Sequence, residues 1–345
     1  MMHRTILSML FLILLQGSVH AAADQIVMAD GSVINGRILG TRHDSVEIET
    51  KFAGTLIVDI NEVVELRTEE PVTIMLNSGE LLHDQTIESR EDKLLMLGLD
   101  DITTEADIDN IGKINPEPWE MGIGYGWSGE LSLAVKYERG NTDTDDNDFQ
   151  FDTVWRSLET RYILRGNFEY DKRQGEESKD KWNIVGKHDR FRAKNYYWGW
   201  NAAWEQDKFS NLDSRFFIGP YLGKQWFEQP KIDLSTELGV VYVATDYLDN
   251  DPKRGNSDDF PGMSWELRTS SQILGLGSKI YLNHFGIWNI TEKADAKIHT
   301  TLGINFDLIK GLLTSAEYVY DWDNKATKGI DKVDQSLKIR VGYHW

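Results

Sequence analysis

The chain of 345 residues contains no cysteine. Disulfide staples and thiolate metal sites are therefore excluded, and an exported protein without cysteine crosses an oxidising compartment with no risk of mispairing. Long apolar runs are also missing. The longest, Ile6 to Leu15, is about half of the ~20 residues a membrane-spanning helix needs, so a helical membrane protein is excluded. Positive charge is in deficit, with 37 Lys and Arg against 56 Asp and Glu and a net charge of −19. That balance argues against a nucleic-acid partner, because phosphate binding needs a cationic face.

The amino-terminal residues 1–23 have the form of an export signal: Arg4 supplies the charge, Ile6 to Leu15 the short apolar segment, and Ala21-Ala22-Ala23 the small-residue cleavage site. After it the aromatic residues divide sharply. All 12 Trp and 13 Tyr lie at or beyond Trp119, whereas residues 24–118 hold a single aromatic, Phe52. Charge divides as well: residues 24–118 carry 7 basic and 21 acidic side chains. Two regions with different surroundings are implied, joined at Asn115-Pro116-Glu117-Pro118, where two prolines end a strand and stiffen a linker.

Residues 24–118 repeat at an offset of 48. Gly31 matches Gly79, Val33 matches Leu81, Val46 and Ile48 match Leu94 and Met96, and Ile60 and Val63 match Ile108 and Ile111. Short alternating runs broken by Asp30-Gly31, Ser78-Gly79 and Ala53-Gly54 read as hairpins. The expectation is two small β modules, residues 24–70 and 71–118, each resembling an SH3-like or Sm-like open barrel. Sm-like proteins often bind RNA, but export and the acidic balance set that aside. A periplasmic spacer or docking unit with an unknown partner is the reading that remains.

Residues 119–345 alternate apolar and polar residues over segments of about ten, the length a tilted strand needs to cross a bilayer. Twelve such segments are expected, near 129–139, 147–158, 161–171, 180–191, 195–205, 214–226, 231–245, 262–274, 278–289, 295–307, 311–322 and 332–345. Connections after odd-numbered segments are long and polar, as in 171–179, 246–261 and 323–331; those after even-numbered segments are tight. This is the pattern of outer-membrane barrels. One face of the segments is apolar and aromatic, with Phe149, Phe151, Trp155, Tyr162, Leu164, Phe168, Trp200, Trp204 and Tyr318 among its members. The other is charged: Arg165, Asn167, Glu169, Lys187, Asp189, Asp233, Glu237, Glu266, Arg268, Lys297, His299, Glu317, Lys338 and Arg340. A soluble lipocalin-like barrel would reverse this order, and a dry core would make the charges very costly.

The last residues, Leu337 to Trp345, alternate and end on Tyr343 and Trp345; they resemble the carboxy-terminal signal read by the barrel assembly machinery of Gram-negative bacteria. The run Leu131 to Thr144, a first strand leading into Gly140-Asn141-Thr142, resembles the opening of the YdiY-like salt-induced outer-membrane protein family, a family of unknown function. The resemblance would extend over 119–345. It implies an outer-membrane barrel among lipid and lipopolysaccharide, with 24–118 in the periplasm, and it brings no catalytic residues or cofactor.

Possible chemistry is thin. Asp143, Asp145 and Asn147 have the spacing of the first ligands of an EF-hand, but Asp148 stands where the turn Gly is needed and Val154 where the bidentate Glu belongs. They are weak candidates for a loop metal site. His188, His284 and His299 are candidates on the barrel wall, and Ser271 with His284 would be the pair of an outer-membrane lipid hydrolase, yet no Gly-x-Ser-x-Gly context accompanies them. The expectation is no enzyme and no cofactor. Twelve strands enclose either a narrow porin-like path or a lumen filled by its own side chains, so the function expected is a structural or stress-related barrel, with passive pore activity or periplasmic tethering as alternatives.

Overall fold

Alternating polarity beyond residue 23 produces strands and almost nothing else among the described residues. The computed structural model describes residues 23–345 apart from 43–44, 91–92, 99–102, 107–109, 139–143, 194, 230, 252–254, 276, 293–294, 310 and 327–329. The expected export signal, residues 1–23, lies outside the described residues except for Ala23, as does Asp143. The chain divides into two compact units, one ending at Pro116 and one running from Glu117 to Trp345.

The described residues of the first unit form ten strands in two sheets. β1 (Asp24–Met28), β2 (Val33–Arg42), β3 (Ser45–Thr50), β4 (Gly54–Asp59) and β5 (Val63–Arg67) form a sheet of order β4-β3-β2-β1-β5. The strands β6 (Val72–Leu76), β7 (Leu81–Arg90), β8 (Lys93–Leu97), β9 (Thr103–Ala106) and β10 (Ile111–Ile114) form the other, of order β10-β6-β7-β8-β9. The connectivity is the same in both: a four-stranded meander with the fifth strand beside the first, as an open SH3-like or Sm-like barrel requires. The 48-residue offset also superposes the turns. Gly31 and Gly79 hold φ of 84° and 87°, a left-handed conformation that glycine adopts without strain. Beside the first turn, Asp30 accepts a hydrogen bond from the Ser32 amide at 2.8 Å, which holds its carboxyl below the usual carboxylate range.

The two sheets do not bury separate cores. Ile26, Ile38, Val46, Ile48, Val63 and Leu66 join Val72, Ile74, Ile87, Met96, Ile111 and Ile114 in one cluster. Bonds tie the halves across it: the Thr68 amide donates to the Ile87 carbonyl at 2.9 Å, and the Ile114 amide donates to Thr41 Oγ1 at 2.8 Å. Each five-stranded sheet has too little apolar surface to stand alone, since small domains bury a small fraction of their surface. Pairing the repeats doubles the core.

The second unit begins with a short 3₁₀ turn, Pro118–Met121, in which Trp119 Nε1 donates to Glu117 Oε2 at 2.6 Å. Twelve antiparallel strands then close into a barrel: β11 (Gly126–Glu138), β12 (Thr144–Arg156), β13 (Thr160–Arg173), β14 (Glu176–Ala193), β15 (Tyr196–Asp207), β16 (Leu212–Gln229), β17 (Ile232–Asp251), β18 (Gly255–Ser271), β19 (Ser278–Asn289), β20 (Ala296–Ile309), β21 (Leu312–Asp323) and β22 (Val333–His344). Each pairs with its neighbours in sequence, and β22 returns to β11 through Glu130↔His344 to Leu133↔Val341. The number of strands agrees with the sequence pattern, but their ends do not. The polar stretch 171–179, expected as a loop, continues the β13–β14 ladder to Arg173↔Glu176 and turns on Gln174-Gly175, both at positive φ. In the same way β17 runs on to Asp251, pairing Asp246 with Ser257. The cause is that charged side chains tolerate a ladder in water as well as a loop does.

Candidate functional site

The interior of the barrel is where this sequence gathers its charge. Side chains alternate across each strand, and the barrel assigns one face of every strand to the lumen. Leu131, Leu133, Tyr162, Leu164, Phe168, Trp200, Trp204, Leu238, Leu302, Tyr318, Leu337 and Ile339 are exposed on the outside. The alternate positions carry ions that are buried and paired.

One network joins strands on opposite sides of the lumen. Lys187 on β14, its side chain 1% exposed, contacts Glu237 on β17 at 2.5 Å and Glu266 on β18 at 2.7 Å. Arg165 on β13 reaches Asp152 at 2.8 Å and, across the lumen, Glu266 at 3.3 Å. Arg268 completes it, 3.8 Å from Asp152 and 3.9 Å from Glu266. Three bases face three acids, so no net charge is left to attract an ion.

A second network surrounds the last strand. Arg340 on β22, 2% exposed, takes Asp148 in two hydrogen bonds of 2.7 and 2.8 Å and Glu317 at 2.7 Å. Lys338 contacts Asp148 at 2.7 Å and Glu169 at 2.8 Å, and Lys179 contacts Glu169 at 2.8 Å. Here too three bases meet three acids. Further along, Lys181 reaches Asp321 at 3.2 Å, His299 Nδ1 lies 2.6 Å from the same carboxylate, and Lys297 pairs with Asp323.

Sequence reasoning missed two contributors. Tyrosines face inward: Tyr197 Oη donates to Glu237 at 3.0 Å, Tyr221 donates to Asp189, and Tyr281 donates to Glu317. Their inward parity with the charged set was the available signal, but the charged face read from the sequence did not include them. The other is apolar. Ala203, Phe217, Val241, Val243, Phe260 and Ile287 form a buried cluster inside the wall from β15 to β19, with Phe217 and Phe285 stacked at 5.7 Å. The lumen is thus a mixture of ion pairs and packed apolar groups rather than charged throughout. The space between Asn201, Tyr221, Glu237, Ser264, Glu266 and Phe285 does not admit even a water-sized sphere, far from the roughly 300 Å³ at which small-molecule sites begin.

The residues singled out for chemistry are not brought together. Asp145 and Asn147 lie on β12 and not in a loop, and among the described residues no three acidic or histidine side chains cluster as metal ligands do. His284 opposes Leu267, and Ser271 opposes Ile280, four positions along the strand, so no Ser–His pair forms. His284 instead accepts from Trp265 Nε1 at 3.1 Å, and His188 stacks on Tyr162 at 4.7 Å. Tyr343 and Trp345 stack with centroids 6.5 Å apart, and Trp345 meets Trp127 edge-on at 5.3 Å.

Residues 131–345 match the model of a family described as "Protein of unknown function, DUF481". No curated protein matches the chain. Among solved structures, the NanC porin is 12% identical, with a TM-score of 0.40 over 61% of this chain and 97% of its own. The translocator domain of the autotransporter NalP from Neisseria meningitidis is 12% identical, with a TM-score of 0.37 over 65% and 88%. The β domain of the Bordetella autotransporter Brka is 14% identical, with a TM-score of 0.34 over 64% and 98%. At such scores these structures add nothing to what the strand pairing already establishes.

Proposed function

We propose that this chain, which belongs to the DUF481 family of proteins of unknown function, is an integral outer-membrane β-barrel protein whose lumen is closed by its own side chains. Pairing round the wall bonds the backbone within the barrel except along part of the β11–β22 junction, and the outer surface is apolar and aromatic, which is what hydrocarbon demands. The strands extend furthest at the hairpins after β13 and β17, while the chain enters at Gly126 and ends at Trp345 on the rim of tight turns. By the usual arrangement of such barrels that rim is periplasmic, and the amino-terminal unit then lies in the periplasm. Lipid and lipopolysaccharide are the surroundings of this reading, and the barrel assembly machinery its partner during biogenesis. The role in this reading is structural.

The observation that carries closure is Lys187, 1% exposed between two carboxylates from the far side of the wall. A conducting path would leave that ammonium in water. Reconstitution of heat-modifiable, folded protein in planar bilayers tests it: a flat current trace is expected, and reproducible ohmic steps would contradict it.

A further inference from the structure

The barrel is not zipped evenly. At eleven of its junctions the ladder follows the shorter of the two strands for nearly its whole length, as from Leu312↔Tyr343 to Trp322↔Val333 between β21 and β22. The junction of β11 with β22 is different. It begins with the backbone bonds between Gly129 and Trp345, at 3.2 and 3.0 Å, and continues through Glu130↔His344, Leu131↔Tyr343, Ser132↔Gly342 and Leu133↔Val341. There it stops. Ala134 to Glu138 keep their partners on β12, and Val333 to Arg340 keep theirs on β21, yet among the described residues neither run pairs with the other. Both strands are therefore intact, and the seam between them is parted on the side of the long hairpins. Leu337 and Ile339 are 75% and 71% exposed there, against 54% for Val341 where the seam is closed.

Unpaired strand edges are costly in hydrocarbon, because no water is present to replace the missing bonds. β22 keeps its ladder with β21, and what ties it across to the other side of the seam is supplied by the lumen. Arg340 and Lys338 project inward from the parted stretch and pass β11 to reach β12 and β13: Arg340 grips Asp148 at 2.7 and 2.8 Å, and Lys338 contacts Asp148 at 2.7 Å and Glu169 at 2.8 Å. On β11 the residue opposite Asp148 is Ala134, whose small side chain leaves room for both cations. Three ion pairs from two cations thus bridge the stretch where the backbone ladder is absent.

We infer that the β11–β22 seam is a lateral gate, latched from inside by Arg340 and Lys338 on Asp148 and Glu169. Release of the latch frees the edge of β22 from Val333 to Ile339 while the ladder from Leu133↔Val341 to Gly129↔Trp345 stays closed as a hinge. The opening joins the lumen to the surrounding hydrocarbon sideways. The inference needs the closed barrel but not the absence of conductance along its axis.

The test uses the full chain, folded in lipid, and its lack of native cysteine makes pairs easy to install. Leu133→Cys with Val341→Cys spans the closed ladder, and Val135→Cys with Ile339→Cys spans the next equivalent positions in the parted stretch. Because a disulfide needs Cβ atoms about 4 Å apart, the first pair is expected to cross-link at least about tenfold faster than the second. Asp148→Asn is expected to speed amide exchange over residues 333–339 by at least about tenfold, with 341–344 little changed. Lys338→Gln should act in the same direction, with Lys338→Arg restoring protection; it serves if Asp148→Asn does not fold. Equal cross-linking of the two pairs would overturn the parted seam. Exchange at 333–339 unmoved by loss of the latch would overturn the gate.

Discussion

Arg340 and Asp148 form a two-point ion pair although a whole strand lies between theirs: Nη1 to Oδ1 spans 2.7 Å and Nη2 to Oδ2 2.8 Å, over β11. The pair fixes the last strand to the second strand of the barrel through the lumen. Its neighbours Glu317, Lys338 and Glu169 are ionic as well, so no member of the group is spare.

Removing one side of this pair leaves the other charge buried without a partner. Arg340→Met or Asp148→Leu alone is expected to destabilise the barrel by about 3–5 kcal/mol, and the double variant to recover much of that loss. Urea-driven unfolding from vesicles, analysed as a double-mutant cycle, measures both. Additive losses would show that the two residues do not act as a unit.

The lumen was legible in the sequence to the extent that alternation is a local signal. Period two placed Arg165, Glu169, Lys187 and Glu237 on one face of their strands, and the same rule counted twelve strands. What it could not give is who meets whom across the barrel, since Lys187 and Glu266 are 79 positions apart and their contact depends on barrel closure. Residue type misled in two places. Phe217 and Phe285 have the residue type of lipid-facing rings and only their parity tells them apart, and the charged run from Asp171 to Lys179 was indistinguishable from a loop because a ladder in water is as polar as one. The duplicated strand order of the amino-terminal unit was legible from the 48-residue offset. Its single shared core was not, because burying Ile26 beside Ile74 is a tertiary event.

Emptying the lumen should create the path that the native side chains deny. Lys187→Ala combined with Phe217→Ala and Phe285→Ala is expected to convert a flat bilayer trace into resolvable current steps, since a wall of small residues leaves an aqueous channel where bulky ones fill it. Single-channel recording checks it. A folded triple variant that stays silent would mean that closure lies elsewhere.

Charge on the outer face should be penalised by depth. Leu238 is 57% exposed in the half of β17 nearer the tight turns, and Leu238→Lys is expected to cost about 2–4 kcal/mol, the range for a cation at the bilayer midplane. Folding into vesicles at graded urea concentrations measures it. A change below ~0.5 kcal/mol, ordinary for a water-exposed surface, would place that face in water.

One core under two sheets predicts that damage in one repeat is felt in the other. Ile26 is fully buried, and Ile26→Ala is expected to cost about 2–5 kcal/mol. Amide exchange should then rise in β6 and β10 as well as in β1 and β2. Faster exchange confined to the first sheet would separate the repeats into independent cores.

Eleven tryptophans, from Trp127 to Trp345, sit on the outward face of the barrel strands or at their end, among them Trp200 at 48% and Trp204 at 54% exposure. In vesicles of lipids brominated along their acyl chains, the tryptophan emission of the folded protein should be quenched by well over half relative to unbrominated lipid. Emission indifferent to bromine would mean that the rings do not touch hydrocarbon, and the inside-out polarity assigned to this barrel would be wrong.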